Sequence, residues 1–594
     1  MKRNLVKAAV LWAVVCSLAL PASETIFSST IDFLDYCFAP VVGGRKGTEP
    51  MPLEEYDAIL KEVAETGVKK VYLRVNVRGV TLYPSQVVPM YGEERRRHFN
   101  KESVALAATI RNYDACAETI RIGHKYGMEV WAWESLWEDG GLKRMWRPPT
   151  DPKELEYYYK YEGDPMNDPY FLEHPDGLAR LDPKLVPSEE EAARINREAR
   201  GRTIGRIVMT DHVKGRKPLR INKDDIAIYT SKDNRNWTEY TGGFDFAASV
   251  TPEGFNRIEL SGLAIKDAIY VRLKLKRAFS TAGGDVTMAS SKNDRRNQHL
   301  VYDTDGKRIA AFWAVDEQGD RRLMPLVFTP TTAEGWDFGG RGMGFIVGEP
   351  PPEQDIWWGG ICEYAVPATR AHKLARFAEL AKYPFDGFIF NLRSHSRMPD
   401  PTQYGYNKEN RDEYLKRYGV DIWKEQADLD KLTAIRMEAV ALFLKECRQR
   451  TDGRPLYLSG LPPHDWTPPA GAKPLCLGMY VSHVHLQLPY RQLLADKSID
   501  GIIMAGYDFS DYIRALPGGK DVKLGLFREL AHLNREKPAA PAGYDFRKDI
   551  EAAAANPGLD EVELYETMII NTHPRVREIV RQAARKAASY NNNK

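Results

Sequence analysis

Three carboxylates could carry acid–base chemistry, because each follows a short apolar run at or near the point where that run ends. Glu134 follows EVWAW, Asp508 follows GIIMAGY, and Glu566 follows EVELY. Hydrolysis of a glycosidic bond needs one carboxylic acid and one carboxylate. We predict Glu134 or Glu566 as the acid, since burial beside an indole raises the pKa of a carboxyl group. Asp508 is then the predicted nucleophile or base, on a strand adjacent to that of Glu566.

A second group of polar and aromatic side chains follows the same predicted strands and suits binding of a sugar. Indole rings pack against the apolar faces of sugars, while acids and arginine bind hydroxyl groups. Each of these residues alone fits a structural role equally well, such as a helix cap or a loop salt bridge. The prediction therefore rests on their clustering. The predicted substrate-binding residues are Asp35, Arg74, Trp133, Trp137, Asn391, Arg393, His395, Tyr480 and His483.

Short apolar strands alternate with amphipathic helices in both halves of the chain, which is the pattern of a parallel sheet. Eight strand centres can be counted, which favours a (β/α)8 TIM barrel with catalytic residues at the C-terminal strand ends. A doubly wound sheet is the alternative, but no glycine-rich phosphate loop follows the first strand. The predicted strand centres are Ile31, Val71, Val130, Phe388, Leu456, Leu477, Ile502 and Val562.

Between residue 203 and about residue 335 the helical periodicity disappears, and short alternating strands predict an inserted all-β sandwich. Ser231-Lys232-Asp233 with Trp237, and later Tyr270-Val271-Arg272-Leu273, resemble the discoidin or coagulation-factor-type galactose-binding sandwich. The resemblance implies a fold and no particular ligand. The predicted domains are a signal peptide (1–23), the first part of the barrel (24–202), the sandwich (203–335) and the second part of the barrel (336–594).

The N-terminal sequence predicts the cellular location of the protein, and the charge balance limits the classes of binding partner. The start MKRNLVKAAVLWAVVCSLALPASE has a basic end, a short apolar core and a small-residue cleavage site, and it predicts export to the periplasm or beyond. No membrane span is expected after cleavage. A net charge of +2 argues against nucleic acid as the main partner. The scattered remaining cysteines predict buried free thiols, and the sequence carries no signal for the oligomeric state.

Several short motifs in the barrel resemble the exported bacterial glycosyl-hydrolase-like TIM-barrel proteins. These motifs are Glu363-Tyr364-Ala365-Val366-Pro367 with Arg370, Tyr383-Pro384-Phe385-Asp386-Gly387, Tyr404-Gly405-Tyr406-Asn407 with Tyr414, Arg417, Tyr418 and Gly419, and Ile499-Asp500-Gly501-Ile502-Ile503. The resemblance implies a barrel that acts on carbohydrate. Related barrels commonly carry a second aspartate on strand four, and Asn391 stands at that position here.

The asparagine leaves two alternatives to a secreted glycoside hydrolase. The first is a glycan-binding protein without catalysis. The second is a polysaccharide lyase, with His395 or Tyr480 as base and Arg393 neutralising a uronic carboxylate. No cofactor is predicted. No metal site is predicted either, because His483 and His485 are two residues apart and lack acidic companions at ligand spacing.

Overall fold

The computed structural model gives the fold from residue 25 to residue 592. Within that span it does not describe residues 34–35, 37–44, 46–48, 78, 92–100, 141–167, 187, 211–217, 220, 233–237, 276–298, 310, 314–342, 348–356, 393–400, 464, 471–486 and 531–544. The predicted signal peptide lies outside the described residues.

Eight parallel strands form a closed barrel, which confirms the predicted (β/α)8 fold. Neighbouring strands pair in parallel all the way round, and the first pairs with the eighth through Ser28 and Glu563. In order around the barrel, the strands are β1 (Ile26–Ile31), β2 (Lys70–Arg74), β5 (Glu129–Ser135), β18 (Gly387–Asn391), β19 (Leu456–Gly460), β20 (Gly501–Met504), β21 (Lys523–Glu529) and β22 (Glu561–Tyr565).

The helices of the described residues cover the barrel or lie in its connections. They are α1 (Leu53–Glu65), α2 (Lys101–Asn112), α3 (Ala115–Lys125), α4 (Pro169–Glu173), α5 (Glu189–Arg200), α6 (Pro367–Leu380), α7 (Lys408–Tyr418), α8 (Leu429–Arg448), α9 (Tyr490–Ala495), α10 (Ser510–Ala515), α11 (Phe546–Ala555), α12 (Thr567–Thr572) and α13 (Pro574–Asn592). In the part of the chain that the structure describes, no helix combines the length and the apolar character needed to cross a membrane.

One strand of the barrel differs from the prediction. The seventh strand is β21, which the sequence reading missed, whereas the strand predicted around Leu477 lies outside the described residues. β21 reads KLGLFRE, and its polar ends and central glycine hide the apolar run. Because β21 pairs with both β20 and β22, the strands that precede Asp508 and Glu566 are not adjacent, and that prediction was wrong.

Three aspartates directly precede barrel strands, and two of them belong to the Asp-Gly motifs of the sequence. Asp386, Asp500 and Asp560 accept the backbone N–H groups of Val130, Leu456 and Leu524, at 2.7, 2.9 and 2.9 Å. Each of these N–H groups lies at the start of the preceding strand of the barrel. A hydrogen bond to a charged group contributes about 1.5–3 kcal/mol. The aspartates therefore link neighbouring strands and stabilise the N-terminal end of the barrel.

The glycines of the same motifs are needed because large rings fill the barrel beside them. A Cβ atom on Gly387 would lie 2.7 Å from the Trp131 ring, and one on Gly501 would lie 2.4 Å from the Tyr457 ring. The ring centroids of Trp131 and Tyr457 lie 4.5 Å apart, although β18 separates their two strands. Such a contact is possible only inside the barrel. Side chains alternate along a strand, so this contact fixes which residues face inward.

Two five-stranded antiparallel sheets occupy the chain between Ile204 and Val347. Isoleucines and valines of both sheets form one core, separate from that of the barrel. The last strand of these sheets, β16 (Met343–Val347), follows residue 335 and pairs with β12 (Tyr270–Leu275). The strands are β7 (Ile204–Thr210), β8 (Ile226–Ser231), β9 (Thr238–Glu239), β10 (Asp245–Val250), β11 (Asn256–Ser261), β12 (Tyr270–Leu275), β13 (His299–Asp303), β14 (Arg308–Ile309), β15 (Ala311–Trp313) and β16 (Met343–Val347).

Two small antiparallel ribbons complete the strands of the described residues. One joins β3 (Asn76–Val77) to β4 (Val80–Thr81), and the other joins β6 (Leu178–Arg180) to β17 (Trp357–Cys362). Cys116, Cys362 and Cys447 are buried free thiols, as predicted, and burial raises the pKa of each. Cys37 and Cys476 lie outside the described residues.

Candidate active site

A buried arginine organises the C-terminal end of the barrel. Arg74 ends β2, and its guanidinium donates through Nη2 to both carboxylate oxygens of Glu138 at 2.7 Å. Nη1 donates to Asp32, which directly follows β1. Nε donates to the carbonyl of Asn76 at 2.9 Å. The carboxylates that the sequence places after strands one and three are therefore joined through one cation.

Arg74 stays charged under all ordinary conditions. Burial alone would lower its pKa, but the carboxylates of Asp32 and Glu138 and the phenol of Tyr565 outweigh burial and raise it above the usual value for arginine. The guanidinium also lies 5.4 Å from the ring centroid of Trp133. These contacts occupy Arg74 with protein groups, although the sequence reading assigned it to substrate.

The ends of the seventh and eighth strands bring two further glutamates together. Glu529 ends β21. It shares a face of the strand with Gly525 and Phe527, which lie inside the barrel, so Glu529 also lies on the inner face, where it is half-buried. It lies opposite Tyr565 in the register, and the N–H of Leu530 donates to the Tyr565 carbonyl at 2.5 Å. Glu566 follows Tyr565 directly. The two glutamates thus extend from neighbouring strand ends.

The backbone after Glu566 is held firmly. The hydroxyl of Thr567 donates to the carbonyl of Thr30 at 3.1 Å and accepts from the hydroxyl of Tyr36 at 2.9 Å. Glu566 itself is 7% exposed, and its carboxylate makes no hydrogen bond or ion pair with any residue that the structure describes. A fixed backbone with an uncommitted carboxylate is the arrangement expected of a group that acts on a ligand.

Glu134 lies on the opposite side of its strand from the barrel interior. Glu134 is the next residue after the inward-facing Trp133, so its side chain points to the helix layer. There, Nε of Arg376 in α6 donates to its carboxylate at 2.8 Å. Arg376 and Glu134 are both buried, with exposures of 1% and 3%. Glu134 is therefore bound to Arg376 in the helix layer, and no described contact joins it to Glu566.

Asp508 is bound to other protein groups through both of its carboxylate oxygens. Its Oδ1 accepts the N–H of Ser510 at 3.0 Å, and its Oδ2 accepts from the side-chain amide of Asn556 at 2.8 Å. Asn556 follows α11 and precedes β22, so it belongs to the segment that enters the eighth strand at its N-terminal end. Asp508 therefore joins two connections outside the barrel, and the structure does not bring it to Glu566.

The remaining predicted site residues divide into buried groups and groups outside the described residues. Trp133 and Trp137 are both 2% exposed and Asn391 is fully buried, so all three belong to the wall beneath the mouth. Trp137 packs edge-on against Tyr364, with ring centroids 6.1 Å apart. Asp35, Arg393, His395, Tyr480 and His483 lie outside the described residues.

Sequence reasoning missed Asp32 and Glu529. The signal for Asp32 is its position directly after Ile31, where the apolar run ends. Glu529 was missed together with its strand. No group of three or more histidine, cysteine, aspartate or glutamate side chains within the described residues has the arrangement of a metal site.

The fold defines the chain as a (β/α)8 barrel with inserted β-structure, and comparison with known proteins adds little to that class. No family model matches the sequence, and no curated protein matches it either. Among solved structures, the chain is similar to α-L-fucosidase isoenzyme 2 from Paenibacillus thiaminolyticus (10% identity, TM-score 0.38, 95% of this chain and 49% of that one). It thus spans about half the length of that fucosidase.

Two further solved structures are similar over most of the chain. One is the catalytic domain of β-amylase from Paenibacillus polymyxa (8% identity, TM-score 0.35, 95% of this chain and 99% of that one). The other is the rhamnosidase from Novosphingobium sp. PP1Y (10% identity, TM-score 0.31, 95% and 59%). At these TM-scores the similarities assign neither an activity nor a substrate, so the function has to be argued from the site.

Proposed function

We propose that the protein is a glycoside hydrolase, with Glu529 and Glu566 as its two carboxyl groups. One observation carries the proposal: Glu529 ends β21 on the inner face of the barrel, and Glu566 directly follows the neighbouring strand β22. Glycoside hydrolysis by an acid and a nucleophile or base needs two such groups flanking one bond. Glu566 keeps its predicted role, while Glu529 takes the place proposed for Asp508.

The difference in exposure supports a division of labour. Glu529 is half-buried and Glu566 is 7% exposed. A general base activates a water molecule, which suits the more exposed glutamate and leaves the role of acid to the other. We therefore assign Glu566 as the acid and Glu529 as the nucleophile or base.

The residues predicted for the lyase alternative, Arg393, His395 and Tyr480, lie outside the described residues, and Arg74 does not take over the role of Arg393. A lyase that acts on uronic acids needs a cation to neutralise the substrate carboxylate. Arg74 is already bound to Asp32 and Glu138, so it has no capacity left for that role. Two glutamates would also suit the binding of sugar hydroxyl groups without catalysis, and the rate measurement below separates the two functions.

Export and a discoidin-like sandwich complete the proposal. The basic and apolar start of the chain supports export to the periplasm or the medium, and the two antiparallel sheets between Ile204 and Val347 suit the discoidin resemblance. Mass analysis of the protein secreted by a bacterial host tests the first point. A mature chain that begins near residue 24 is expected, and a retained N-terminus would contradict export.

A panel of polysaccharides tests the activity, scored for new reducing ends and for ultraviolet-absorbing unsaturated ends. We expect reducing ends alone. Glu566→Gln and Glu529→Gln should each lower the rate by at least about 10²-fold, because general acid–base catalysis contributes about 10²–10⁴-fold. Asp508→Asn is the matched control and should keep most of the rate. Native rates in both glutamine variants would overturn the assignment.

A further inference from the structure

A second arginine at the same end of the barrel has two aromatic neighbours and no carboxylate. Arg180 ends β6, and its guanidinium carbon lies 4.2 Å from the ring centroid of Trp423 and 5.9 Å from that of Trp357. It is half-buried. Its side chain makes no hydrogen bond or ion pair with any residue that the structure describes. Burial lowers the pKa of Arg180, and no nearby carboxylate counteracts that effect.

Two further described cations near Trp423 and Tyr406, Lys184 and Arg411, are neutralised. Lys184 pairs with Asp182 at 2.7 Å. Arg411, whose guanidinium carbon lies 4.9 Å from the Trp423 ring centroid, binds both oxygens of Asp421 at 2.7 and 2.8 Å. A half-buried cation costs solvation free energy unless an anion compensates it. Arg180 is thus the exception in a neighbourhood of paired charges.

The backbone around Arg180 holds it in a defined position. Its N–H donates to Oδ1 of Asn407 at 2.9 Å, and its carbonyl accepts from the N–H groups of Gly405 and Tyr406. Trp423 is fixed in turn, because its indole N–H donates to the Tyr406 carbonyl at 2.8 Å. Trp357 lies directly opposite Arg180 in the β6–β17 ribbon. The site is therefore preformed.

Stacking leaves the hydrogen-bonding edge of the guanidinium available. An indole contacts a guanidinium through its flat face, whereas the N–H donors point outward in the plane and match the two oxygens of a carboxylate or sulfate. Both indoles are partly exposed and can cover the apolar face of a sugar ring. The combination of a planar cation and exposed indole surface matches a sugar that carries an anionic group.

The ribbon that carries Arg180 connects it to the mouth of the barrel. At the other end of the ribbon, the N–H of Cys362 donates to Asp139, which follows the third barrel strand. Cys362 lies opposite Leu178, which is two residues from Arg180 along β6, or roughly 7 Å of extended chain. Ribbon and Trp423 belong to the connections after the third and fourth strands, which lie at the C-terminal end of a barrel. Arg180 is therefore placed where a bound saccharide extends away from the reacting bond.

We propose that Arg180, Trp357 and Trp423 form a binding subsite for a carboxylate- or sulfate-bearing sugar unit of the substrate. The inference rests on the proposed function, since it assigns the substrate class of the same barrel end. It makes the preferred substrate an acidic glycan, recognised through an anionic group at Arg180.

Calorimetry with three oligosaccharides of equal length tests the subsite: an oligogalacturonate, a sulfated carrageenan fragment and a neutral maltooligosaccharide. The wild-type protein should bind at least one of the acidic probes at least tenfold more tightly than the neutral one. The probe that binds better identifies the anionic group. Arg180→Gln should weaken binding of the acidic probe about 10- to 100-fold, because a hydrogen bond to a charged group contributes that much. It should leave neutral binding unchanged.

Two further variants separate charge geometry from folding. Arg180→Lys keeps the charge but loses the planar fork, so it should recover only part of the affinity. Arg417→Gln removes an arginine from α7, where it pairs with Glu413 and Glu438, and should bind like the wild type. Equal binding of acidic and neutral probes by the wild type, or unchanged acidic binding in Arg180→Gln, would overturn the proposal.

The outcome is distinguishable from failure of the proposed function. Hydrolysis of neutral glycans without any acidic preference would remove the subsite and leave the hydrolase. Binding of an acidic probe that depends on Arg180, without any new reducing ends, would remove the hydrolase and leave the subsite.

Discussion

The two ends of the barrel interior use the same residue types in opposite ways. At the N-terminal end, Lys70 of β2 donates to Glu561 of β22 at 2.7 Å, and Tyr72 donates to the other oxygen at 2.6 Å. The ammonium also lies 4.1 Å from the ring centroid of Trp131. At the C-terminal end, Arg74 binds two carboxylates, yet Glu529 stays half-buried and Glu566 uncommitted.

The difference shows that a polar residue inside a barrel can act on a ligand only where its hydrogen-bonding groups are not already bound to the protein. The Lys70–Glu561 set consumes its own donors and acceptors and closes the N-terminal end. The long connections of the barrel lie at the C-terminal end. They add polar side chains whose hydrogen-bonding groups the strands alone do not satisfy. A cluster of one cation and several acids therefore predicts catalysis only where at least one carboxylate is not already bound to a protein group.

The largest expected effect is that of Arg74→Met. This change removes the buried cation that Asp32 and Glu138 share, which costs about 3–5 kcal/mol of unfolding free energy. Urea unfolding measures the loss. Arg417→Met is the matched control, since Arg417 also binds a glutamate with both nitrogens, at 2.7 and 2.8 Å, but is 33% exposed. A surface pair of that kind should cost below about 1 kcal/mol. Equal costs would refute the importance of burial.

A smaller loss of stability, about 2–4 kcal/mol, is expected for Lys70→Met at the other end. The loss is smaller because Tyr72 still donates to Glu561. The double variant Lys70→Met, Glu561→Gln should regain much of it, since no buried charge is then left over. The rate per folded molecule should stay within about twofold in both variants. A large fall in the rate of the stable double variant would show that the N-terminal end is not merely structural.

The barrel itself was largely readable from sequence, because its strands are short apolar runs between helices with clear caps. β21 was missed since Lys523, Arg528 and Glu529 mask a core of Leu524 and Leu526. Pairing with two apolar neighbours makes this run a strand, and such long-range pairing is not visible in a local window.

The direction of side chains limited the prediction of the site more than the elements did. Glu134 follows Trp133, and adjacent residues of a strand face opposite sides, so only one of them could line the mouth. That signal was present in the sequence. The partnership of Arg74 with Asp32 and Glu138 was not, because it joins the connections after three different strands.

The smallest expected effect belongs to Asp508→Asn. The asparagine keeps one carbonyl oxygen for the N–H of Ser510, but its new amide group faces the amide of Asn556 and loses that hydrogen bond. The cost should be about 0.5–1.5 kcal/mol of unfolding free energy, and kcat on a confirmed substrate should be nearly unchanged. Glu529→Gln is the same carboxylate-to-amide change at the mouth, so the two variants can be compared directly in one assay. A loss of turnover in folded Asp508→Asn that equals the loss in Glu529→Gln would mean that the connection between β20 and α10 contributes to the mouth when substrate binds.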